Sequence, residues 1–585
     1  FLAAGFFVLV AAFAGFSAAA PASFSLFLAA GFVAAFAAVL GLAVLAGFAS
    51  GTSGVVTGAA FTAAFAVSFG DGATMLFLAF LRRRTPKDPI IIFPLFDFLS
   101  PLPIFFEILN CEHKITQTTK VVKFSPGASN SVNKKDQHSG TVTGRFIKFA
   151  DMATRKLWIY SPEVSPRLEY AAGVIFSTVL GINYEITTDR RKIGGSPAVF
   201  YTNEKVKDQF VIRPSGLLDA TGVEQIRPEV SFIGEMPVLF AAEGGSIPFD
   251  LFSAVFYMLS RYEEYLPFSP DAHGRFPGAA SLAGRGGFLR IPVVEIWSKF
   301  LAIELIRRYP VLTIRHNEYS ALVTVDVDQP FAYRSRGFLR SMGGLVKGLA
   351  GVGARPADRI RTMTGELPDP YDSFGYIEEK LKESQSEALF FFPTGDQGEY
   401  DHNPPFRDHD YGEIIRRYDR MYGSGLHSSY RSAGRIRTLK TEAERYSAIT
   451  GHPPVKVRQH WLLLNMPDTY RDFREAGMTH DYTMGYHDEP GFRAGIARPF
   501  PFYDLATERA TTLTVVPFQV MDVTLRQYMH LQPEAALEVV RTLIAATRNA
   551  GGLFVSIWHN TSLNEGNGWE GWRHVFEEML FMQKV

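Results

Sequence analysis

Cysteine is nearly absent. The 585 residues hold one, Cys111. A single thiol closes no internal disulfide, so no part of the fold can depend on one. No histidine motif surrounds it, and it reads as an incidental or buried thiol rather than a nucleophile. Low cysteine use suits cytoplasmic folds and many exported bacterial ones alike. Net charge is missing too. Lys plus Arg and Asp plus Glu both count 59, giving +0 at neutral pH. No global field draws the chain toward nucleic acid or an anionic membrane, so neither is an expected partner on charge alone. A phosphate loop is also lacking. Ala283-Gly-Arg-Gly-Gly287 is glycine-rich but has no Lys-Ser/Thr after it, and no strand-turn-helix setting.

Charge is absent for longest at the start. The first acidic or basic side chain is Asp71, and residues 1–81 are almost all Ala, Phe, Gly, Val, Leu and Ser. Stretches such as Phe24–Phe48 exceed the roughly 20 apolar residues that span a bilayer. One reading is two or three membrane helices, with Arg82, Arg83, Arg84 and Lys87 on the cytoplasmic side. The other is a stretch from a misplaced start or wrong reading frame, given its narrow vocabulary. No charged segment precedes the apolar run, so it is not an ordinary signal peptide. The expected location is cytoplasmic, or membrane-anchored if that segment is genuine.

Length suggests several domains. Residues 82–150 read as a linker, with a polar run from Ser125 to Gly144 that predicts disorder. Residues 151–315 read as a smaller α/β domain. Lys156–Tyr160 and Ala198–Tyr201 predict strands, and Leu168–Leu180, Phe249–Tyr265 and Pro292–Arg308 predict helices. Residues 316–585 alternate apolar runs with helical patterns. Ala321–Asp328, Ala388–Gly395, Ser424–Tyr430, Val455–Leu464, Thr479–Tyr486, Leu513–Asp522 and Leu553–Asn560 predict strands. Between them, Thr441-Glu-Ala-Glu444 has the form of a capping box, Asp468–Ala476 stops at Gly477, and a helix begins at Gln532-Pro533 and stops at Gly551-Gly552. Strands spaced by helices predict a parallel sheet with βα crossovers.

Titratable residues sit near the ends of those strands, where such a sheet collects chemistry. In Thr324-Val-Asp326-Val-Asp328 the carboxylates lie two apart, so a strand points both to one side. Close carboxylates repel unless a cation lies between them, and the useful division is one on a metal and one as general base. Solvated aspartates before the turn Gln329-Pro330 are the plain alternative. His427, in Gly425-Leu-His427-Ser-Ser-Tyr430, is a candidate ligand or a capped surface histidine. His559, after Val555-Ser-Ile-Trp558, is a candidate acid for a leaving amine or a strand end packed by Trp558. Arg458 sits on an apolar strand and needs a partner; it could orient Asp326 or form a structural ion pair. The stretch from Gly491 to Asp504, with Arg493 and Arg498, suits a sugar- or anion-facing loop and equally a rigid structural one.

Taken together, the order of Asp326 and Asp328, then His427, Arg458 and His559, resembles the polysaccharide deacetylase family. That family opens on a T-F-D-D-G or D-V-D strand and continues with H-x-x-x-H, an arginine strand and a last strand ending in histidine. The resemblance covers Ala321 to Val585. It implies a distorted (β/α) barrel, a divalent metal, typically zinc, and an acylated amino sugar or polysaccharide as substrate. Asp326 would be the catalytic base, Asp328 and His427 metal ligands, Arg458 a residue of the catalytic group, and His559 the acid. The second histidine of the pair should stand where Arg431 is. Asp396, His402 and His460 are candidates for the third ligand. Without one, the domain would bind or help assemble carbohydrate without turnover. Residues 151–315 look like an uncharacterised domain that precedes such deacetylases in some bacterial proteins. Ile247-Pro-Phe-Asp250 and Ser260-Arg-Tyr-Glu-Glu-Tyr265 carry that likeness.

Overall fold

The computed structural model describes residues 61–68, 74–82, 91–92, 156–315, 317–333 and 356–584. Cys111, the expected linker apart from Arg82 and Ile91–Ile92, and the span Phe24–Phe48 lie outside the described residues. The chain divides into two compact units, 1–123 and 124–585.

In the first unit, β1 (Phe61–Ser68) pairs antiparallel with β2 (Thr74–Arg82), and β2 with β3 (Ile91–Ile92). This corrects the helical reading of residues 1–81 where it can be compared. Gly70-Asp71-Gly72 breaks the apolar run between the two strands. Among the described residues no helix is long and apolar enough to cross a membrane.

The second unit is mixed α/β with largely parallel sheets. β4 (Leu157–Tyr160), β5 (Tyr184–Thr187), β6 (Ala198–Tyr201) and β7 (Phe210–Ile212) form a parallel sheet in the order β5-β4-β6-β7. β8 (Val230–Ile233) and β9 (Met236–Leu239) make a separate hairpin. The helix expected over Phe249–Tyr265 runs from Leu251 to Leu259, capped by the Asp250 side chain on the Ser253 amide. It breaks at Arg261, whose φ of 53° leads into a short turn over Tyr262–Tyr265. Val293–Arg308 is helical as its periodicity predicts.

Nine strands form the large sheet. They are β10 (Ser320–Asp326), β11 (Ala388–Phe392), β12 (Ser424–Ser428), β13 (Lys456–Gln459), β14 (His480–Asp481), β15 (Phe500–Asp504), β16 (Arg509–Val515), β17 (Val520–Met521) and β18 (Leu553–His559). Their order is β15-β16-β14-β13-β12-β11-β10-β18-β17, with only β15 antiparallel to its neighbour. Crossover helices include His409–Tyr422, Ile436–Thr450 and Pro533–Ala550. Among the described residues, strand pairing does not close the expected distorted barrel. The predicted strand Leu513–Asp522 is two strands, because Pro517 offers no amide to a ladder. The two edge strands, β15 and β17, do not pair with each other, so the sheet stays open. Thr441 is not an N-cap. It lies inside Ile436–Thr450, with its hydroxyl bonded to the Arg437 carbonyl. Gly477 (φ 88°) and Gly551 (φ 67°) do end their helices in the left-handed conformation that glycine favours.

The two regions of this unit share one apolar core. Tyr503 of β15 packs against Tyr170 and Phe256, ring centres 5.0 Å away in each case. Arg493 is buried and bonds Glu264 through Nε at 2.9 Å and Nη2 at 2.7 Å. Arg498 lies 3.7 Å from Glu295. The Gly491–Asp504 stretch therefore directs both arginines into the neighbouring region, which is the structural alternative.

Candidate metal centre

The carboxyl ends of β10, β12, β13 and β18 bring the titratable residues together. Asp326 ends β10 and is buried. Its Oδ1 accepts from Arg458 Nη1 at 2.7 Å. Arg458 also donates to Thr324 Oγ1 at 2.8 Å and to the Tyr482 carbonyl at 3.0 Å, and stacks 4.5 Å over the Phe391 ring. Several partners at fixed angles hold this fully buried guanidinium, so its position and that of Asp326 Oδ1 are set together.

Asp328, two residues on, keeps 30% of its side chain exposed. Its Oδ1 lies 3.0 Å from His427 Nε2, and its Oδ2 3.4 Å from His460 Nε2. One donor atom from each of Asp328, His427 and His460 falls within 4.8 Å of the others, a group that could hold a metal ion. His427 Nδ1 donates to the Arg458 carbonyl at 2.9 Å, which turns Nε2 toward the Asp328 carboxylate. Neither buried atom, His427 Nε2 nor Asp328 Oδ1, has a hydrogen-bond partner. A cation between an imidazole nitrogen and a carboxylate oxygen would satisfy both. The residues present thus fit a divalent ion.

His460 is placed by unusual backbone. It follows β13 directly, and Trp461 (φ 61°) and Leu462 (φ 55°) after it are both left-handed. Such conformations cost about 1–3 kcal/mol each in non-glycine residues and persist only where the surroundings enforce them. His460 Nδ1 donates to Asp401 Oδ1 at 2.9 Å. Burial opposes its charge, but Asp328 and Asp401 push the His460 pKa up to about 9. Burial alone would raise Asp328; His460, His427 and His559 hold it well below the ordinary carboxylate range.

His559 ends β18. Its Nδ1 donates to Asp522 Oδ1 at 2.7 Å, and its backbone amide donates to Asp522 Oδ2 at 2.8 Å. Its Nε2 stands 3.7 Å from Asp328 Oδ2. Burial works against its charge, yet Asp522, then Asp328 and Asp326, raise its pKa to about 10. These carboxylates favour its protonated form.

All five residues expected from the sequence converge here, and of the candidates for a third donor His460 joins them. Asp396 is exposed and paired with Arg445 at 2.9 Å, and His402 is exposed. Arg431 is exposed and stands outside the donor cluster. Two supporting carboxylates went unread. Asp522 follows the apolar run Pro517–Met521, the same signal that marked Asp326. Asp401 sits in an irregular loop with no pattern around it.

A family model described as "Family of unknown function (DUF7033)" matches residues 157–310. No curated protein sequence matches the chain. Among solved structures, a Mycobacterium smegmatis protein named as a polysaccharide deacetylase is similar at 19% identity and TM-score 0.30, over 46% of this chain and 84% of that one. A polysaccharide deacetylase of Bacillus cereus is similar at 11% identity and TM-score 0.22, over 45% and 85%. A GH57-type branching enzyme of Pyrococcus horikoshii scores alike, at 10% identity and TM-score 0.26, over 45% and 66%. The functional reading therefore rests on the site.

Proposed function

We propose that the protein is a metal-dependent hydrolase that removes an acyl group, in the first instance acetyl, from the nitrogen of an amino sugar. The observation that supports it most is the pair of orphaned donor atoms on Asp328 and His427, with His460 as third donor and the held side chains of Asp326 and His559 beside them. Asp328, His427 and His460 would hold the ion, and zinc suits one oxygen and two imidazole nitrogens. When bound, the ion supplies Lewis-acid polarisation of the acyl carbonyl and of water.

The side chains account for the protons. Arg458 holds Asp326 Oδ1, leaving Oδ2, 3.8 Å from His427 Nε2, to take a proton from the attacking water. As the C–N bond breaks, His559 gives its Nε2 proton to the leaving nitrogen. Asp522 stabilises the imidazolium beforehand and fixes its tautomer, as a buried carboxylate does for a catalytic histidine. Water is consumed, and a carboxylic acid and an amine are produced. With His460 in the cluster, a third donor does not require the residue at 431.

Acetate release from N-acetylated sugar oligomers, measured with chelator and with added zinc or cobalt, tests the proposal. Chelator-sensitive release that vanishes in Asp326→Asn is expected. A folded, metal-loaded protein that releases no acetate from any such substrate would overturn it.

A further inference from the structure

The region before the large sheet sends an arm, residues 267–278, across to the loop that follows β13. The arm lies within the span 157–310 matched by the family of unknown function. Its base is seated where the Gly278 amide donates to Asp488 Oδ1 at 3.0 Å, and a Cβ on Gly278 would come within 2.9 Å of Glu489 Cβ. Its tip is a closed turn. Asp271 Oδ1 accepts from the amides of His273 and Arg275 at 2.9 and 2.8 Å, and the Asp271 amide donates to the Arg275 carbonyl at 3.1 Å. Gly274 turns the chain at φ 82°.

That turn delivers one buried side chain. Arg275 donates from Nε to Asp271 Oδ2 at 2.8 Å, from Nη1 to the Trp461 carbonyl at 3.1 Å and from Nη2 to Tyr528 Oη at 3.0 Å. The donors of a guanidinium lie in one rigid plane, so holding two of them aims the third. Here the third lands on the residue next to His460.

The contact falls where the backbone is strained. Trp461 (φ 61°) and Leu462 (φ 55°) are left-handed, a conformation that bulky side chains rarely adopt and that persists only where neighbours enforce it. The arm grips Trp461 by its ring as well. The His273 ring lies 4.5 Å from it, and the Arg275 guanidinium 5.8 Å from its centre. With the chain turned this way, His460 Nε2 stands 3.4 Å from Asp328 Oδ2.

We propose that Arg275 is a positioning residue for the metal centre. It holds the Trp461 carbonyl, keeps the strained turn, and so keeps His460 among the donors. The region of unknown function thereby supports a site to which it gives no ligand of its own. The inference rests on the metal-centre reading of Asp328, His427 and His460.

Zinc affinity of the full chain, measured by competition with a chromophoric chelator, tests it. The variants are Arg275→Ala, Arg275→Lys, His460→Ala and the double variant Arg275→Ala/His460→Ala. Arg275→Ala should bind zinc ~10–100-fold more weakly than the wild type, the usual range for a partner that orients a ligating imidazole. The double variant should bind no more weakly than His460→Ala, because effects that pass through one residue do not add. Arg275→Lys keeps the charge but not the planar fork, and should recover little. With cobalt(II), whose visible absorption reports its ligands, Arg275→Ala should move toward the His460→Ala spectrum. Asp271 is half-buried and Tyr528 exposed, so water can satisfy both once the guanidinium is gone. Should Arg275→Ala still fail to fold, Arg275→Lys carries the same comparison. Wild-type zinc affinity and cobalt spectrum in either folded variant would overturn the proposal. So would a loss on adding Arg275→Ala to His460→Ala as large as its loss alone. Zinc binding by the wild type without acetate release would sink the hydrolase reading and leave the role of Arg275 standing.

Discussion

His460 and Arg431 make opposite predictions about metal. His460→Ala should lose stoichiometric zinc after dialysis, read by elemental analysis, whereas Arg431→Ala should retain it. Asp401 acts one bond further out. Partners that orient a ligating imidazole typically contribute 10–100-fold in metal affinity, so Asp401→Asn should weaken zinc binding by about that factor in a competition titration. Asp522→Asn leaves His559 without the group that favours its charged form, and kcat should fall ~10²–10⁴-fold if His559 acts as the acid. At this scale the sequence was legible wherever a titratable side chain followed an apolar run, as with Asp326, His427 and His559. It was not legible for Asp401, because a loop carries no periodicity. It was only half-legible for His460, whose arrival at the site depends on two left-handed residues after it that no propensity argument anticipates.

Among the elements, the break after Leu259 has the largest electrostatic content. It brings Arg261 and Glu264 together at 2.7 Å and sets Glu264 against Arg493. Burial would raise the Glu264 pKa, but the charges of Arg493 and Arg261 bring it down to about 2. A depressed pKa gives stability that is complete above the unfolded value near 4.5 and is lost as pH falls through the folded value. Glu264→Gln leaves two buried guanidinium groups short of charge, so it should cost about 3–5 kcal/mol at pH 7. That difference should shrink as pH falls toward 2, which denaturant unfolding across a pH series would read. The sequence placed Glu264 on a continuous helix, since Tyr-Glu-Glu-Tyr continues the apolar period. The left-handed Arg261 that ends the helix is a tertiary outcome, enforced by its ion pairs. β15 and β16 were missed as a pair for a related reason. Phe500–Asp504 has a proline inside it, a signal against strand, and it survives as the edge of the sheet, where a missing amide costs nothing.

For the whole molecule, the shared core matters more than either part. Tyr170 and Phe256 pack on Tyr503, Glu264 pairs with Arg493, and Arg275 donates to the Trp461 carbonyl and to Tyr528 Oη. Residues 316–585 expressed alone should therefore aggregate or stay expanded, exposing that face to a hydrophobic dye, while 151–585 should unfold in one cooperative transition. Alternating strands and helices made the parallel sheet readable, but not its open edges at β15 and β17. Pro517 was visible, yet the surrounding apolar run favoured a single strand.

β18 lies beside β10, with Thr324 Oγ1 bonded to the Ser556 carbonyl 232 positions away. During synthesis the amino-terminal strands of this sheet leave the ribosome long before their neighbour exists. Asp326 and Asp328 must wait beside an unpaired β10 edge until His559 emerges. An incomplete nascent chain therefore carries most of the donor set on a sticky, half-built sheet. Its yield in the cell should depend on holdase chaperones more than its final stability would suggest.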